Sequence, residues 1–213
     1  MAIDDPGLWC ETRDADRALG AALFLDRDGV IVADTGYLGR AEDVRVLDGA
    51  AAAVARCNAL RIPVVVVTNQ SGIARGYYDW SGFCAVQAAL AAALTAAGAH
   101  LDAVLACAYH GDGKEPLRIA AHPWRKPNPG MILAAAERMN IDLSRSWIVG
   151  DKADDLAAGA AAGLAGGTLL AADERARRQL LCLERADFAV TTAASLSEAV
   201  AALIETGRLA SRI

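Results

Sequence analysis

Two carboxylates stand two residues apart in Asp26-Arg27-Asp28-Gly29, directly after the apolar run Ala22-Leu23-Phe24-Leu25. Such a run reads as a buried parallel strand, and the carboxyl edge of such strands is where open α/β sheets bind ligands. A nucleophile and a proton shuttle at this spacing, followed by a glycine that lets the chain turn sharply, suit group transfer beside a metal ion. Further polar clusters follow later apolar runs: Thr68-Asn69-Gln70-Ser71-Gly72, then Lys126 after a long loop, then Gly150-Asp151-Lys152 with Asp154 and Asp155. Taken singly, each also fits a turn, a helix cap or a solvated loop. Pooled on one rim, they supply a carboxylate nucleophile, metal-ligating carboxylates, hydroxyl and amide donors, and a cation. Phosphoryl transfer needs that set. An all-oxygen, carboxylate-rich site suits magnesium.

The elements that must position these residues are legible from hydrophobic period and punctuation. Residues 1–20 carry mixed charge and little periodicity, and read as a lead-in segment with at most a short helical turn. Residues 31–47 hold Asp34, Thr35, Gly36 and Tyr37 among other turn formers and charges, which predicts a loop or flap over the first strand end. An alanine-rich helix is expected from Asp48-Gly49 to about residue 60, a β-branched strand over 62–67, and a loop over 72–78. A helix over 80–97, capped by Asp79 or Ser81, and a third strand over 103–107 follow. Residues 109–128 contain three prolines, two glycines and no clear period. An irregular connection of about 20 residues exceeds the usual length, which marks it as functional or specially braced. Helices over 130–139 and 155–162 alternate with strands over 147–149, 167–170 and 188–190; a charged helix is expected over 173–185. The last helix, 195–204, has Ser195 as its cap and Glu198 at the capping-box position. The βαβα alternation predicts an α/β fold, a three-layer Rossmann-like parallel sheet with helices on both faces, in one domain over 21–213.

Composition excludes several classes. Apolar residues make up 54% of the chain but aromatics only 5%, because alanine dominates, and this favours closely packed helices. The net charge of −5 gives no electrostatic case for nucleic acid or a membrane surface as partner. No apolar run approaches the roughly 18 residues that span a bilayer, and the N-terminus has no basic-then-apolar signal pattern. The five cysteines (Cys10, Cys57, Cys84, Cys107, Cys182) are scattered and form no CxxC, which fits reduced thiols rather than a disulfide framework. A soluble, cytoplasmic protein, monomeric or weakly dimeric, is expected.

The ordered segments DRDGV (26–30), TNQSG (68–72), RKPNPGM containing Lys126, and GDKADD (150–155) resemble the four motifs of the haloacid dehalogenase (HAD) superfamily of phosphohydrolases. Within it, FLDRDGV, Gly36-Tyr37, VVVTNQSGIARG, RKPNPGM and VGDK are similar to the D-glycero-D-manno-heptose 1,7-bisphosphate phosphatases and their histidinol-phosphate phosphatase relatives. The resemblance spans residues 22–171 or so. It implies that Asp26 attacks phosphorus to form an aspartyl-phosphate while Asp28 protonates the leaving oxygen and then activates water. It further implies that Asp26, the backbone carbonyl of Asp28, and Asp151 hold Mg2+, that Thr68 and Lys126 stabilise the transferring group, and that Asp155 supports this shell, for example by holding Lys152. Asp34, Thr35, Gly36, Tyr37, Asn69, Gln70, Ser71, Arg125 and Lys152 would line the pocket for a small phosphorylated sugar, with Arg125 reading sugar or second-phosphate groups. No long insertion separates the motifs, so no separate cap domain is expected and the site should be open.

One departure concerns the long loop, where the bisphosphatases usually carry a CxH…CxC zinc site. Here the positions read Cys107-Ala108-Tyr109 and His122-Pro123-Trp124. Tyr109 and Trp124 are not zinc ligands, and structural zinc takes four. Zinc is therefore not expected, although a rebuilt site from Cys107, His110 and His122 with an outside acid is conceivable. The loop would instead be held by packing of Tyr109, Trp124 and the prolines. A phosphatase for histidinol phosphate or another small phosphomonoester is the nearest alternative. A catalytically silent phosphate sensor is remote, because Asp26, Asp28, Thr68, Lys126 and Asp151 are all present.

Overall fold

The computed structural model describes residues 5–13, 20–170 and 183–209. Its frame is a seven-stranded sheet of β1 (Leu8–Thr12), β2 (Leu23–Leu25), β3 (Val64–Asn69), β4 (Ala103–Cys107), β5 (Trp147–Gly150), β6 (Gly166–Leu170) and β7 (Ala189–Ala193), in the order β1-β4-β3-β2-β5-β6-β7. Strands β2 to β7 are parallel, and β2 lies at their centre: Leu23 pairs with Val64 on one side and with Trp147 on the other. The chain thus builds outward from β2 in one direction and later in the other. That reversal is the switch point at which an α/β sheet opens a crevice beyond its carboxyl ends. Asp26 and Asp28 leave β2 at that crevice.

The central strands are short apolar runs because both of their faces are covered. Alternate side chains enter opposite layers. Leu23, Leu25, Val64, Val66 and Val149 share one core with α1 (Ala50–Ala59), α3 (Trp80–Ala96) and α6 (Leu196–Glu205). Phe24, Val65, Val67 and Ile148 share the other with α4 (Gly130–Met139) and α5 (Ala153–Ala162). Three layers result, as expected, and among the described residues no second unit is inserted between the strands. Of the two cap candidates for α3, Asp79 takes the role, accepting the Gly82 N–H at 2.9 Å. Ser195 caps α6 by accepting the Glu198 N–H, while the Glu198 carboxylate reaches back to the N–H of Ala194.

Two elements differ from expectation. Residues 8–12 are not lead-in but an edge strand antiparallel to β4, with Leu8 opposite Cys107 and Thr12 opposite Ala103. The sheet is therefore mostly parallel with one antiparallel edge. The segment Leu-Trp-Cys-Glu-Thr alternates too weakly to announce a strand; tertiary contact fixes it, including Trp9 stacked on Trp80 at 5.9 Å. Part of the loop expected over 72–78 is a short helix, α2 (Ser71–Arg75), whose five residues are too few to carry a helical period. The charged helix expected over 173–185 lies for most of its length outside the described residues.

Candidate active site

Asp26 is nearly buried where β2 ends, and its N–H is fixed on the Val149 carbonyl at 3.0 Å. Its Oδ1 accepts the Arg27 N–H at 2.8 Å and meets the Lys126 ammonium at 2.9 Å. That ammonium also donates to the Val67 carbonyl at 2.7 Å and pairs with Asp155 Oδ1 at 2.6 Å. Three acceptors match its three N–H donors. Burial alone would depress the lysine, but the Asp155 and Asp26 carboxylates outweigh it and raise its pKa. Lys126 is thus a fixed cation, brought in by the long loop. Its backbone is clamped by Asn69, whose side-chain amide donates to the Lys126 carbonyl at 3.0 Å and accepts its N–H at 3.1 Å.

Asp151 and Asp155 arrive from the β5–α5 junction. Asp26, Asp151 and Asp155 each offer an oxygen within 4.8 Å of the others. The oxygens of Asp155 are both engaged, Oδ1 by Lys126 and Oδ2 by the Lys152 N–H at 3.0 Å. Burial and the neighbouring Asp26 charge raise its carboxyl to about 6 against the pull of Lys126. Asp155 therefore holds the Lys152 backbone and the Lys126 head, while the Lys152 ammonium goes to Asp34 at 3.1 Å and Asp151 at 3.6 Å. Asp151 differs: its Oδ1 is buried with no hydrogen-bond partner among the described residues, and burial and Asp26 repulsion raise its pKa. A carboxylate with a buried, unpartnered oxygen, beside two more carboxylates, fits a hard divalent cation that takes oxygen ligands. Gly29 lets the strand-end turn approach this group. Its φ is +80°, and a Cβ there would lie 2.5 Å from Asp151 Oδ2.

Asp28 is held by residues that the motif reading passed over. Arg27, fully buried, grips it through Nε at 3.1 Å to Oδ1 and through one terminal nitrogen at 3.0 and 2.9 Å to the two oxygens. The other terminal nitrogen donates to Gln87 on α3 at 3.1 Å, and the guanidinium lies over Phe83 at 5.5 Å. Gln70, expected to line the substrate pocket, is instead buried. Its amide donates to Asp28 Oδ2 at 3.1 Å and to Thr68 Oγ1 at 2.8 Å, while its oxygen accepts from Arg27 at 3.1 Å and from the Tyr78 hydroxyl at 2.6 Å. Its inward turn follows from the buried arginine, which needs acceptors. With Gln70 donating to it, buried Thr68 keeps its own O–H to donate elsewhere. Burial raises the Asp28 carboxyl, opposed by Arg27, and a raised carboxyl is a better proton donor near neutral pH. Only the arginine between the two aspartates could have signalled this clamp.

A cleft of ≈ 320 Å³ opens above these groups, lined by Asp26, Asp28, Asp34, Gly36, Tyr37, Asn69, Ser71, Arg125, Lys126, Lys152, Asp154 and Asp155. It contains every expected pocket residue except Gln70 and Thr35; Thr35 is exposed on the flap beside it. Tyr37 meets Tyr77 at 4.5 Å, so two exposed aromatic rings stand together at the mouth. A separate cleft of ≈ 400 Å³ between α3 and β1 holds none of the expected site residues. Cys107, His110 and His122 do not gather into a metal-sized cluster among the described residues. Cys107 Sγ lies 3.9 Å from His122 Nδ1, but His110 turns to Arg75 and to the N–H of Asp112.

A family model described as HAD-hydrolase-like matches residues 123–199, which include Lys126, Asp151 and Asp155. A D-glycero-beta-D-manno-heptose-1,7-bisphosphate 7-phosphatase from Mesorhizobium japonicum is 50% identical over 171 residues, 79% of this chain and 78% of that one. A D-glycero-alpha-D-manno-heptose-1,7-bisphosphate 7-phosphatase from Burkholderia mallei is 43% identical over 157 residues, 74% of this chain and 82% of that one. Among solved structures, D,D-heptose 1,7-bisphosphate phosphatase from B. bronchiseptica, complexed with magnesium and phosphate, superposes with a TM-score of 0.75 at 30% identity over 87% of this chain and 99% of that one. No helix among the described residues is long and apolar enough to cross a membrane.

Proposed function

The chain belongs to the heptose-1,7-bisphosphate 7-phosphatase family of HAD-like hydrolases and is a phosphatase, and from that premise we propose that it removes one phosphate from D-glycero-D-manno-heptose 1,7-bisphosphate through an aspartyl-phosphate. The observation that carries the reading is the meeting of Asp26, Lys126 and Asp151 at the switch point, with Asp151 Oδ1 buried and unpartnered. Asp26, the Asp28 backbone carbonyl and Asp151 would hold Mg2+. When bound, the ion supplies positive charge that draws the phosphoryl oxygens and the nucleophilic carboxylate together.

The chain's own groups do the rest. Asp26 attacks phosphorus with the oxygen not held by Lys126, and the bond to the sugar oxygen breaks as Asp28 delivers its proton there. Asp28, now ionised, takes a proton from the water that attacks the aspartyl-phosphate; inorganic phosphate leaves and Asp26 is restored. Lys126 and the Thr68 hydroxyl offset charge on the phosphoryl oxygens. Arg125 on the cleft wall supplies a fork suited to the phosphate that is not cleaved, which a lysine could match only as a point charge.

A phosphate-release panel tests the reading: heptose 1,7-bisphosphate in both anomers, histidinol phosphate and simple sugar monophosphates at equal concentration. The bisphosphate should lead in kcat/KM by at least about tenfold, or about 1.4 kcal/mol in the transition state. Histidinol phosphate in the lead would reject the substrate. In parallel, Asp26→Asn should stay folded by circular dichroism and retain far less than about a tenth of wild-type turnover; a variant above that level would remove Asp26 from the nucleophile role.

A further inference from the structure

The loop that delivers Arg125 and Lys126 is tied down by contacts that are not those of a metal site. Tyr109 lies flat against His122, ring centroids 4.2 Å apart and 17° from parallel. The His122 Nδ1 accepts the Trp124 N–H at 3.1 Å, so the nitrogen nearest Cys107 Sγ is already engaged within the loop. The Tyr109 hydroxyl donates to Asp5 Oδ1 at 2.9 Å, and Asp5 is fixed in turn by the Gly7 N–H at 2.8 Å. Gly7 is where the N-terminal segment passes under the ring: a Cβ there would lie 2.4 Å from Tyr109 Cε2, and its carbonyl accepts the Ala108 N–H at 2.8 Å. The aromatic ring sits where a zinc ligand would be needed, and the histidine left over presents its ring face to it. The set does not fit zinc.

From Tyr109 two routes lead to Arg125. The Tyr109 carbonyl accepts the Arg125 guanidinium at 3.2 Å. The stacked His122 offers its carbonyl to the Arg125 N–H at 2.9 Å and to the Asn128 side chain at 3.0 Å. Lys126, by contrast, is held independently by Val67, Asp26, Asp155 and Asn69. Loosening Tyr109 should therefore move Arg125 and leave Lys126 in place.

We infer that Asp5, Tyr109 and His122 form a metal-free brace, supplied partly by the N-terminal segment, that sets the position of Arg125 and so controls how tightly the non-reacting end of the substrate is held. They are positioning residues that act through Arg125. The inference rests on the proposal that Arg125 reads the uncleaved phosphate, and it predicts a division between KM and kcat that a general loss of stability would not produce.

The test compares steady-state kinetics on heptose 1,7-bisphosphate and on p-nitrophenyl phosphate, which has no second phosphate, together with zinc analysis of the purified full-length protein. Tyr109→Phe, which removes only the hydroxyl–carboxylate bond, and Asp5→Ala, which removes that bond together with the one from the Gly7 N–H, should raise KM for the bisphosphate about threefold with kcat within about twofold. Tyr109→Ala, which also removes the stack, should raise it about tenfold, while KM for p-nitrophenyl phosphate stays within about twofold in every variant. Asp5→Asn keeps Oδ1 as an acceptor and should restore near wild-type KM. If Tyr109→Ala does not fold, the two milder variants still decide. Arg125→Ala separates the two readings: an unchanged bisphosphate KM overturns the role of Arg125, whereas a raised KM there beside unchanged values in the Asp5 and Tyr109 variants overturns the brace alone. Stoichiometric zinc in the wild-type protein would overturn its metal-free character.

Discussion

In the proposed reaction Asp28 has a duty that its neighbour in the motif does not: it must give up a proton and take one back, so its direction matters as much as its charge. The buried clamp of Arg27, Gln70 and Tyr78 governs that direction. Tyr78 is the outermost member, and its hydroxyl joins Arg27 in donating to the Gln70 oxygen, which leaves the amide nitrogen toward Asp28. Tyr78→Phe removes one partly buried hydrogen bond and leaves the ring in place, so kcat/KM for the sugar phosphate should fall about three- to tenfold. For p-nitrophenyl phosphate the loss should stay below about twofold, because a good leaving group departs without a proton. Equal losses on both substrates would mean that Tyr78 supports the site without acting on Asp28. The motif residues Asp26, Asp28, Thr68 and Asp151 were legible in the sequence because each follows an apolar run, and Lys126 because it stands near the end of an irregular loop of unusual length. The clamp was not, since Arg27, Gln70 and Tyr78, with Gln87 behind the arginine, are spread along the chain and only the fold brings them together. Gln70 was misplaced for the same reason, because a sequence does not say which way an amide at a strand end turns.

The strand-end turn from Asp26 to Val32 is the element on which the site geometry depends. Gly29 donates to the Val32 carbonyl at 2.7 Å, Ile31 donates to the Arg27 carbonyl at 2.9 Å, and the positive φ at Gly29 closes the turn against Asp151. Gly29→Ala would meet two obstacles, a backbone conformation that suits glycine and a carboxylate 2.5 Å from the new Cβ. The expected destabilisation is about 1–2 kcal/mol, a fall in Tm of about 2–8 °C by differential scanning calorimetry. Displacement of Asp151 should reduce turnover by more than that loss of stability explains at 25 °C. A variant with wild-type Tm and turnover would show that the turn tolerates a side chain and that Asp151 need not sit where it does. At this scale the sequence was read well where elements are long or fully buried. It was read poorly where tertiary contact alone decides, as for the edge strand β1, whose residues are half-exposed, and for α2, a single turn and a half.

Across the whole molecule, charge is unevenly disposed. The chain carries −5 overall, which gives an anionic substrate no long-range attraction. Arg125, Lys126 and Lys152 line the cleft and supply local positive charge. Beneath them Asp26, Asp151 and Asp155 crowd within 4.8 Å, with the Lys126 ammonium bonded to Asp26 and Asp155 and the exposed Lys152 ammonium 3.6 Å from Asp151. Folding therefore assembles a repulsive cluster that the unfolded chain does not have, and a cation that binds only the folded form should stabilise it. At about 100 times its Kd, such a ligand adds about 2.7 kcal/mol, which for a chain of this length raises Tm by about 5–10 °C. We expect that response to Mg2+ in a thermal-shift titration, without substrate and without any measurement of turnover. Asp151→Asn removes one of the repelling charges, so its Tm without added metal should equal or exceed that of the wild type, yet its response to Mg2+ should be largely lost. The two signs together separate a cation held at this cluster from general ionic stabilisation. A magnesium shift as large in Asp151→Asn as in the wild type would mean that the ion binds elsewhere, and that the unpartnered oxygen of Asp151 has some other purpose.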